Sequence, residues 1–313
     1  MTIARPRRRV QPRLVRPRLV EPEDRGIASA ADRRRPVVRR SYRALHGILL
    51  VLLVVVGLGP ILWLFKAAVT PTQDTLRDPM GLFPHGVDLQ NLVTAWTEVH
   101  IDVQFVNTIW IALGSWAVQI LVATTAGYVL SVLRPRIARV LNGMVLATLF
   151  VPAIVLLVPL YLVVLHPPLI GQSMLNTFWA VWLPAGANAF NILLVTRFFD
   201  SLPREVFEAA RTDGAGPFRL FWSIVLPMSK PILGVVSVFA VIAAWKDYLW
   251  PLLVLRDPAV QPLSVRLPTL QKAIELDVYL AALAISTLIP IVLFLVFQRL
   301  ILRGAGLGGA VKG

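Results

Sequence analysis

Apolar residues in this chain come in long runs, without the stripe of an amphipathic helix or the alternation of a half-buried strand. Six such runs can be drawn, at about residues 45–66, 106–133, 140–166, 176–199, 228–255 and 279–298. Each is near or above the roughly 20 residues that a helix needs to cross about 30 Å of hydrocarbon at 1.5 Å per residue. The pattern predicts an all-α membrane protein with six transmembrane helices. It divides the chain into a tail over residues 1–43, a membrane domain over 44–303 and a short tail over 304–313. The first run is long enough to span and is followed by no small-residue cleavage site, so it is expected to stay as a helix.

Composition fits this reading. Of 313 residues 57% are apolar and 15% charged, with mean hydropathy +0.71, which excludes an ordinary soluble enzyme. The net charge of +14 is concentrated before the first run, where 14 Arg stand against Glu21, Glu23, Asp24 and Asp32. Sorting the basic residues by alternate loops puts 25 on one side and five (Lys66, Arg77, Arg256, Arg266, Lys272) on the other, with Lys246 inside a span. The positive-inside rule then makes both termini cytoplasmic. The Arg-Pro tail has too few apolar residues to fold alone and is expected to be disordered. Contact with anionic lipid or nucleic acid is one reading of it; a solvated tail that enforces topology is the plainer one.

Proline and glycine inside the runs, Gly57, Gly59, Pro60, Pro152, Pro159, Pro184 and Gly186, mark bends or close packing, since neighbouring helices can satisfy the backbone groups they free. In the second run Thr108, Ala112, Ser115 and Gln119 share one face, a small and polar stripe that belongs against protein.

Enzyme chemistry is missing. With no cysteine there is no thiolate nucleophile or metal ligand, and the four histidines are scattered over span ends and loops. His100 and Asp102 read as a solvated surface pair. No lysine follows a glycine, so there is no phosphate-cradling loop for nucleotide. The expectation is a chain with no catalytic residues, no metal and no cofactor of its own.

The long loop between the fourth and fifth runs, residues 199–227, carries strong local signals. Ser201 is a plausible N-cap, Pro203 falls in the first turn, Glu205 favours a helix N-terminus, and Gly214, Gly216 and Pro217 stop the helix. A second short helix then runs toward Leu226 and Pro227. Val206, Phe207, Ala209 and Ala210 are read as a small apolar surface that another protein can approach.

The spacing within this loop is specific: Glu208, Ala209, Ala210, then Gly214, then Ile224, Leu226 and Pro227. It resembles the EAA loop of bacterial ABC importer permeases at every defining position. Further segments are similar to the maltose-type, carbohydrate branch: ValProLeuTyrLeu at Val158, LeuAsnThr at Leu175, ArgPhePhe at Arg197, LeuProMetSerLysPro at Leu226, TrpLysAspTyrLeuTrpProLeu at Trp245, and the ending GlyAlaValLysGly. The likeness runs from about Leu45 to Gly313. It departs at Lys246, where the family shows asparagine, and after Arg303, where the chain is one residue longer.

The resemblance implies a type I importer permease of the bacterial inner membrane, set in lipid and without nucleic acid. It would pair with a second homologous permease, two copies of an ATPase subunit that bind ATP and Mg, and an extracytoplasmic solute-binding protein. Glu208, Ala209 and Ala210 would lie on the coupling helix, Gly214 would turn the chain, and Val311 and Lys312 would reach the ATPase. A transporter with neither a phosphate loop nor a chain of buried proton carriers must take its energy from a partner. A secondary transporter or channel is the alternative, and would need several ionisable residues facing a midplane cavity.

For the solute, a fifth helix continuous from Lys230 to Arg256 would rise roughly 39 Å and place Asp247 roughly 25 Å up, in the outer half. Trp245, Trp250, Asn188 and Asn191 are the accompanying candidates, since aromatic faces and planar polar groups suit a polyhydroxylated solute. The plainer reading makes Asp247 a partner of Lys246 or of a helix terminus and the tryptophans interfacial anchors.

Overall fold

A computed structural model describes residues 36–306, except 82, 85, 169 and 170. Residues 1–35 of the Arg-Pro tail and the C-terminal candidates Val311 and Lys312 lie outside the described residues, while residues 36–43, expected to be disordered, are the first turns of a helix that continues into the first apolar run. Every regular element among the described residues is helical.

The chain divides into two units, residues 1–61 and 62–313. The first contains most of α1 (Pro36–Ala68), whose apolar side chains from Leu45 to Leu58 are exposed almost all round. Gly57 and Gly59 meet nothing within 4 Å among the described residues, and Pro60 sits inside the helix without breaking it.

In the second unit α2 (Thr72–Arg77) and α3 (Gln90–Thr97) are short, and α4 (Ile101–Leu133) is the longest unbroken element before the last. Then come α5 (Ala138–Thr148), α6 (Ala153–Leu165), α7 (Trp179–Ala185), α8 (Ala189–Asp200), α9 (Arg204–Thr212), α10 (Pro217–Met228), α11 (Lys230–Lys246), α12 (Leu249–Val254), α13 (Leu263–Leu270) and α14 (Leu276–Gly306).

Five of the six apolar runs thus appear as three single helices, α1, α4 and α14, and two bent pairs, α5 with α6 and α7 with α8; the fifth run is α11 with α12, and α10, from the preceding loop, meets α11 at a third bend. The bends are 108° between α5 and α6, 43° between α7 and α8, and 78° between α10 and α11. Each has a proline at or beside it: Pro152 caps α6, Pro184 lies in the last turn of α7, and Pro231 opens α11. A proline has no N–H for the carbonyl four residues back and its ring crowds that carbonyl, so the helix gives way there. Pro159, by contrast, stays within α6.

The fifth run corrects the expectation of one helix from Lys230 to Arg256. It ends at Lys246; Asp247 is extended, with φ −66° and ψ 123°, and α12 starts afresh at Leu249. Pro251 explains the stop, because it stands four residues beyond Asp247 and cannot donate to its carbonyl. Ser264 Oγ takes up that carbonyl at 2.6 Å.

α4 is the hub, packed against α3, α7, α8, α11 and α13. Its polar stripe is buried: Thr108, Ala112, Ser115 and Gln119 are each 5% exposed or less. Gly114 admits the indole of Trp182 to the α4 backbone, where any Cβ would collide with the ring. Gly186 does likewise for Val118 on α4, at 2.8 Å from the position of a Cβ. Trp116 Nε1 donates to Ser237 Oγ at 2.7 Å and fixes α4 to α11.

Candidate coupling site

The segment between α8 and α10 is built around α9. Its N-cap is Pro203, and Ser201 instead closes α8, its hydroxyl donating to the Phe198 carbonyl at 2.7 Å. The expected Ser201 cap is therefore corrected: the Leu202–Pro203 pair intervenes, and the fixed φ of proline leads into the helix at Arg204. Glu205 lies in the first turn, where a negative charge meets the positive end of the helix.

α9 ends in a complete Schellman motif. Gly214 has φ +78°, its N–H donates to the Arg211 carbonyl at 3.0 Å, and the Ala215 N–H donates to the Ala210 carbonyl at 2.9 Å. No atom lies within 4 Å of where a Gly214 Cβ would sit, so glycine is required for its conformation and not for space within this chain. Pro217 does not stop α9; it opens α10 at a position where the missing N–H costs nothing.

The face of α9 is the second correction. Phe207 and Ala210 are buried, each 8% exposed, in a cluster with Tyr128, Phe199, Leu202, Leu220, Phe221 and Val225. They anchor the helix to its own bundle. The outward face is Glu205, Glu208, Ala209 and Thr212, spaced at three and four residues, with Val206 half-buried between the two faces. Of the Glu208-Ala209-Ala210 triplet, two residues therefore look out and one looks in. Ile224 and Leu226 are half-buried and pack on the same cluster, while Pro227 is exposed.

Beside α9 lies a cleft of about 120 Å³ lined by Ser131, Arg134, Asp200, Arg204, Glu208 and Arg211, among others. Arg134 reaches across it to Asp200 at 2.7 Å, and Arg197 stands 3.9 Å from the same carboxylate. The sequence marks Arg134 only as a loop charge and Arg197 as a loop charge and the start of the ArgPhePhe segment, and it does not single out Tyr128, Ser131 or Asp200. Their partners are 66 to 89 residues away in the chain, so no local spacing signals them.

The solute candidates do not gather at one point. Trp245 is buried with Leu263, Leu267 and Ala281, its ring edge-on to Phe105 at 6.0 Å. Trp250 is buried in another cluster with Val181 and Val254, and its Nε1 donates to the Ala180 carbonyl at 2.9 Å. Asn188 caps α8 by accepting from the Asn191 N–H at 2.9 Å. Asn191, 2% exposed, donates to Gln119 Oε1 at 2.6 Å. Asp247 is half-buried and Lys246 exposed, and no ion pair joins them among the described residues. No group of three His, Asp or Glu side chains that could hold a metal occurs among the described residues.

Residues 119–305 match the family described as "Binding-protein-dependent transport system inner membrane component". The chain is 30% identical to the arabinooligosaccharides transport system permease protein AraQ of Halalkalibacterium halodurans over 82% of its own length and 92% of that protein. It is 30% identical to the sn-glycerol-3-phosphate transport system permease protein UgpE of Salmonella typhi, over 85% and 96%. It is 29% identical to the diacetylchitobiose uptake system permease protein NgcG of Streptomyces coelicolor, over 87% and 88%. A crystal structure of a bacterial ABC transporter that imports the acidic polysaccharide alginate contains a chain of the same fold, with TM-score 0.74 at 22% identity, covering 88% of this chain and 99% of that one.

Proposed function

The chain belongs to the family of binding-protein-dependent transport system inner membrane components, and we propose that it imports a sugar or oligosaccharide using ATP hydrolysed on a partner subunit. It is a multi-pass permease subunit of an ABC importer and not itself an enzyme. The carbohydrate assignment draws on relatives named for arabinooligosaccharides and diacetylchitobiose.

The observation that carries the mechanism is the two-faced α9. Phe207 and Ala210 root it in the bundle, while Glu208 and Ala209 are free to meet another chain. On this reading the ATPase dimer receives the outer face of α9 on the cytoplasmic side, where both termini also lie. Closure of that dimer on ATP and Mg displaces α9, and the displacement shifts the bundle between inward- and outward-facing states. A second homologous permease completes the membrane pathway, and an external binding protein delivers the solute. Val311 and Lys312 add a tail contact to the ATPase, which removal of residues 309–313 would test through loss of coupling without loss of assembly.

For the solute path, the half-buried Asn188 and Asp247 are the members of the candidate set with access to a hydroxylated solute. Asn191, Trp245 and Trp250 are buried and serve the packing of the helices instead. Asp247 sits at a helix break, and non-helical backbone at membrane depth is tolerated only where protein buries it or it lines a water-filled cavity.

The test is reconstitution in vesicles with the ATPase, the companion permease and the binding protein. Uptake of labelled oligosaccharide should require all of them and ATP. Uptake driven by an ion gradient without the ATPase would overturn the proposal in favour of a secondary transporter.

A further inference from the structure

The last turns of α4 grip the coupling segment at both ends. On the entering side, Asp200 closes α8 four residues before α9 begins, and its Oδ1 accepts from Ser131 Oγ at 2.8 Å and from Arg134 Nη2 at 2.7 Å. Arg134 is held in turn by its Nε, which donates to the Ser131 carbonyl at 2.6 Å. On the leaving side, Tyr128 Oη donates to the carbonyl of Pro217, the first residue of α10, at 2.8 Å. The Tyr128 ring lies 5.0 Å from that of Phe221. Tyr128 is 6% exposed and Ser131 5%, so the α4 side of each contact is buried, while Arg134, Asp200 and Pro217 remain open to solvent.

The backbone is unusual at the same place. Residues Val129–Leu133 form a π-helical turn, residues Phe221–Val225 form another, and Tyr128 and Phe221 join the two. Arg134 has φ +47°, a left-handed conformation that a non-glycine residue adopts only when its surroundings hold it there. A π turn carries one residue more than an α turn needs. Returning that residue to α register would rotate the segment beyond by about 100°.

α4 is also unbroken along its whole length, whereas α8 and α11 each belong to a bent pair. Its other end reaches the loop that leads into α13. Asn107 Nδ2 donates to the carbonyls of Ala259 and Gln261 at 2.8 and 3.1 Å, and Thr108 Oγ1 accepts from the Leu263 N–H at 2.9 Å. The next residue, Ser264, is the one that holds the free carbonyl of Asp247. One continuous helix thus touches the coupling segment at one end and the helix break at Asp247 at the other.

We propose that Tyr128, Ser131 and Arg134 are positioning residues that make α4 move as one body with α9, so that displacement of the coupling helix reaches the chain break at Asp247. The inference rests on the coupling role proposed for α9. None of the three residues meets ATP or solute; they act through Pro217 and Asp200.

The experiment is the ratio of solute imported to ATP hydrolysed in the reconstituted complex, a quantity that the amount of folded protein cancels out of. Tyr128→Phe keeps the ring against Phe221 and removes only the hydrogen bond. Its ratio should fall about fivefold, the weight of one neutral hydrogen bond, with basal hydrolysis retained. The second arm uses the absence of native cysteine from the chain. Ser131→Cys with Asp200→Cys should couple poorly when reduced and recover when a mild oxidant closes the disulfide, because a covalent link replaces the lost grip. A wild-type ratio in Tyr128→Phe, or loss of transport on closing the disulfide, would overturn the proposal. Glu208→Lys separates this failure from that of the coupling reading: it would still depress solute-stimulated hydrolysis if only the grip is wrong. It would leave that hydrolysis at the wild-type level if α9 is not the coupling helix.

Discussion

Trp250 donates its indole N–H to the carbonyl of Ala180 at 2.9 Å, and that carbonyl is the one that Pro184 leaves without its helical partner. The same relation recurs where Ser264 donates to the carbonyl of Asp247 that Pro251 leaves free. In water such a carbonyl would be hydrated; in a bilayer it must find a protein donor. At Pro184 and Pro251 the break thus depends on a side chain from another element.

Trp250→Phe should therefore destabilise the protein by about 1–3 kcal/mol, the cost of leaving a buried carbonyl unsatisfied. Pro184→Ala supplies the missing N–H, so the double variant should lose clearly less than the sum of the two single changes. Thermal unfolding of the detergent-solubilised complex measures all three. Strict additivity would show that the indole bond carries no weight.

Much of the fold was legible. Six apolar runs, the proline breaks at Pro152 and Pro184, and the buried stripe from Thr108 to Gln119 all follow from spacing and the demands of a bilayer. The turn at Gly214 follows from glycine at the end of a helical pattern. What the sequence concealed was direction and distance. Phe207 and Ala210 look like a docking surface in a loop read alone, and only their packing against Tyr128, far away in the chain, and Phe221, on the next helix, shows that they face inward. The break after Lys246 could have been found from Pro251, whose effect falls on the carbonyl four residues earlier.

At Gly214 the strain is conformational. Gly214→Asn should be tolerated better than Gly214→Ala, and Gly214→Val worst, because asparagine enters the left-handed region more readily and a β-branched residue least. The cost of the alanine change should be about 1–2 kcal/mol. Solute-stimulated ATP hydrolysis should follow the order glycine, asparagine, alanine, valine. A ranking by side-chain volume alone would instead point to a steric limit imposed by the ATPase.

The two faces of α9 should separate stability from coupling. Phe207→Ala empties part of a buried cluster and should cost about 3 kcal/mol or more, visible as a lower unfolding temperature and a loosened coupling helix. Glu208→Lys changes an exposed charge and should shift stability by less than about 0.5 kcal/mol while lowering solute-stimulated hydrolysis. Equal effects of both variants on unfolding temperature would contradict the placement of Glu208 on the outer face.

Asn191 offers the sharpest division between a solute contact and a structural one. It lies 2% exposed with its Nδ2 on Gln119 Oε1 at 2.6 Å, and its Oδ1 has no hydrogen-bond partner among the described residues. Asn191→Ala leaves Gln119 buried with an unanswered acceptor, a change worth about 1–3 kcal/mol. Gln119→Leu in the same chain removes the orphaned group, so the double variant should regain stability relative to Asn191→Ala. If the pair serves the helix contact between α4 and α8, uptake should fall only as far as the amount of folded complex falls, and the order of preference among solutes should stay as in the wild type. Asp247→Asn, by contrast, removes a charge at the chain break and should change uptake or solute preference with basal hydrolysis intact. Measuring competition among several oligosaccharides for both variants decides the matter: altered preference in Asn191→Ala would move that residue from the supporting layer into the path.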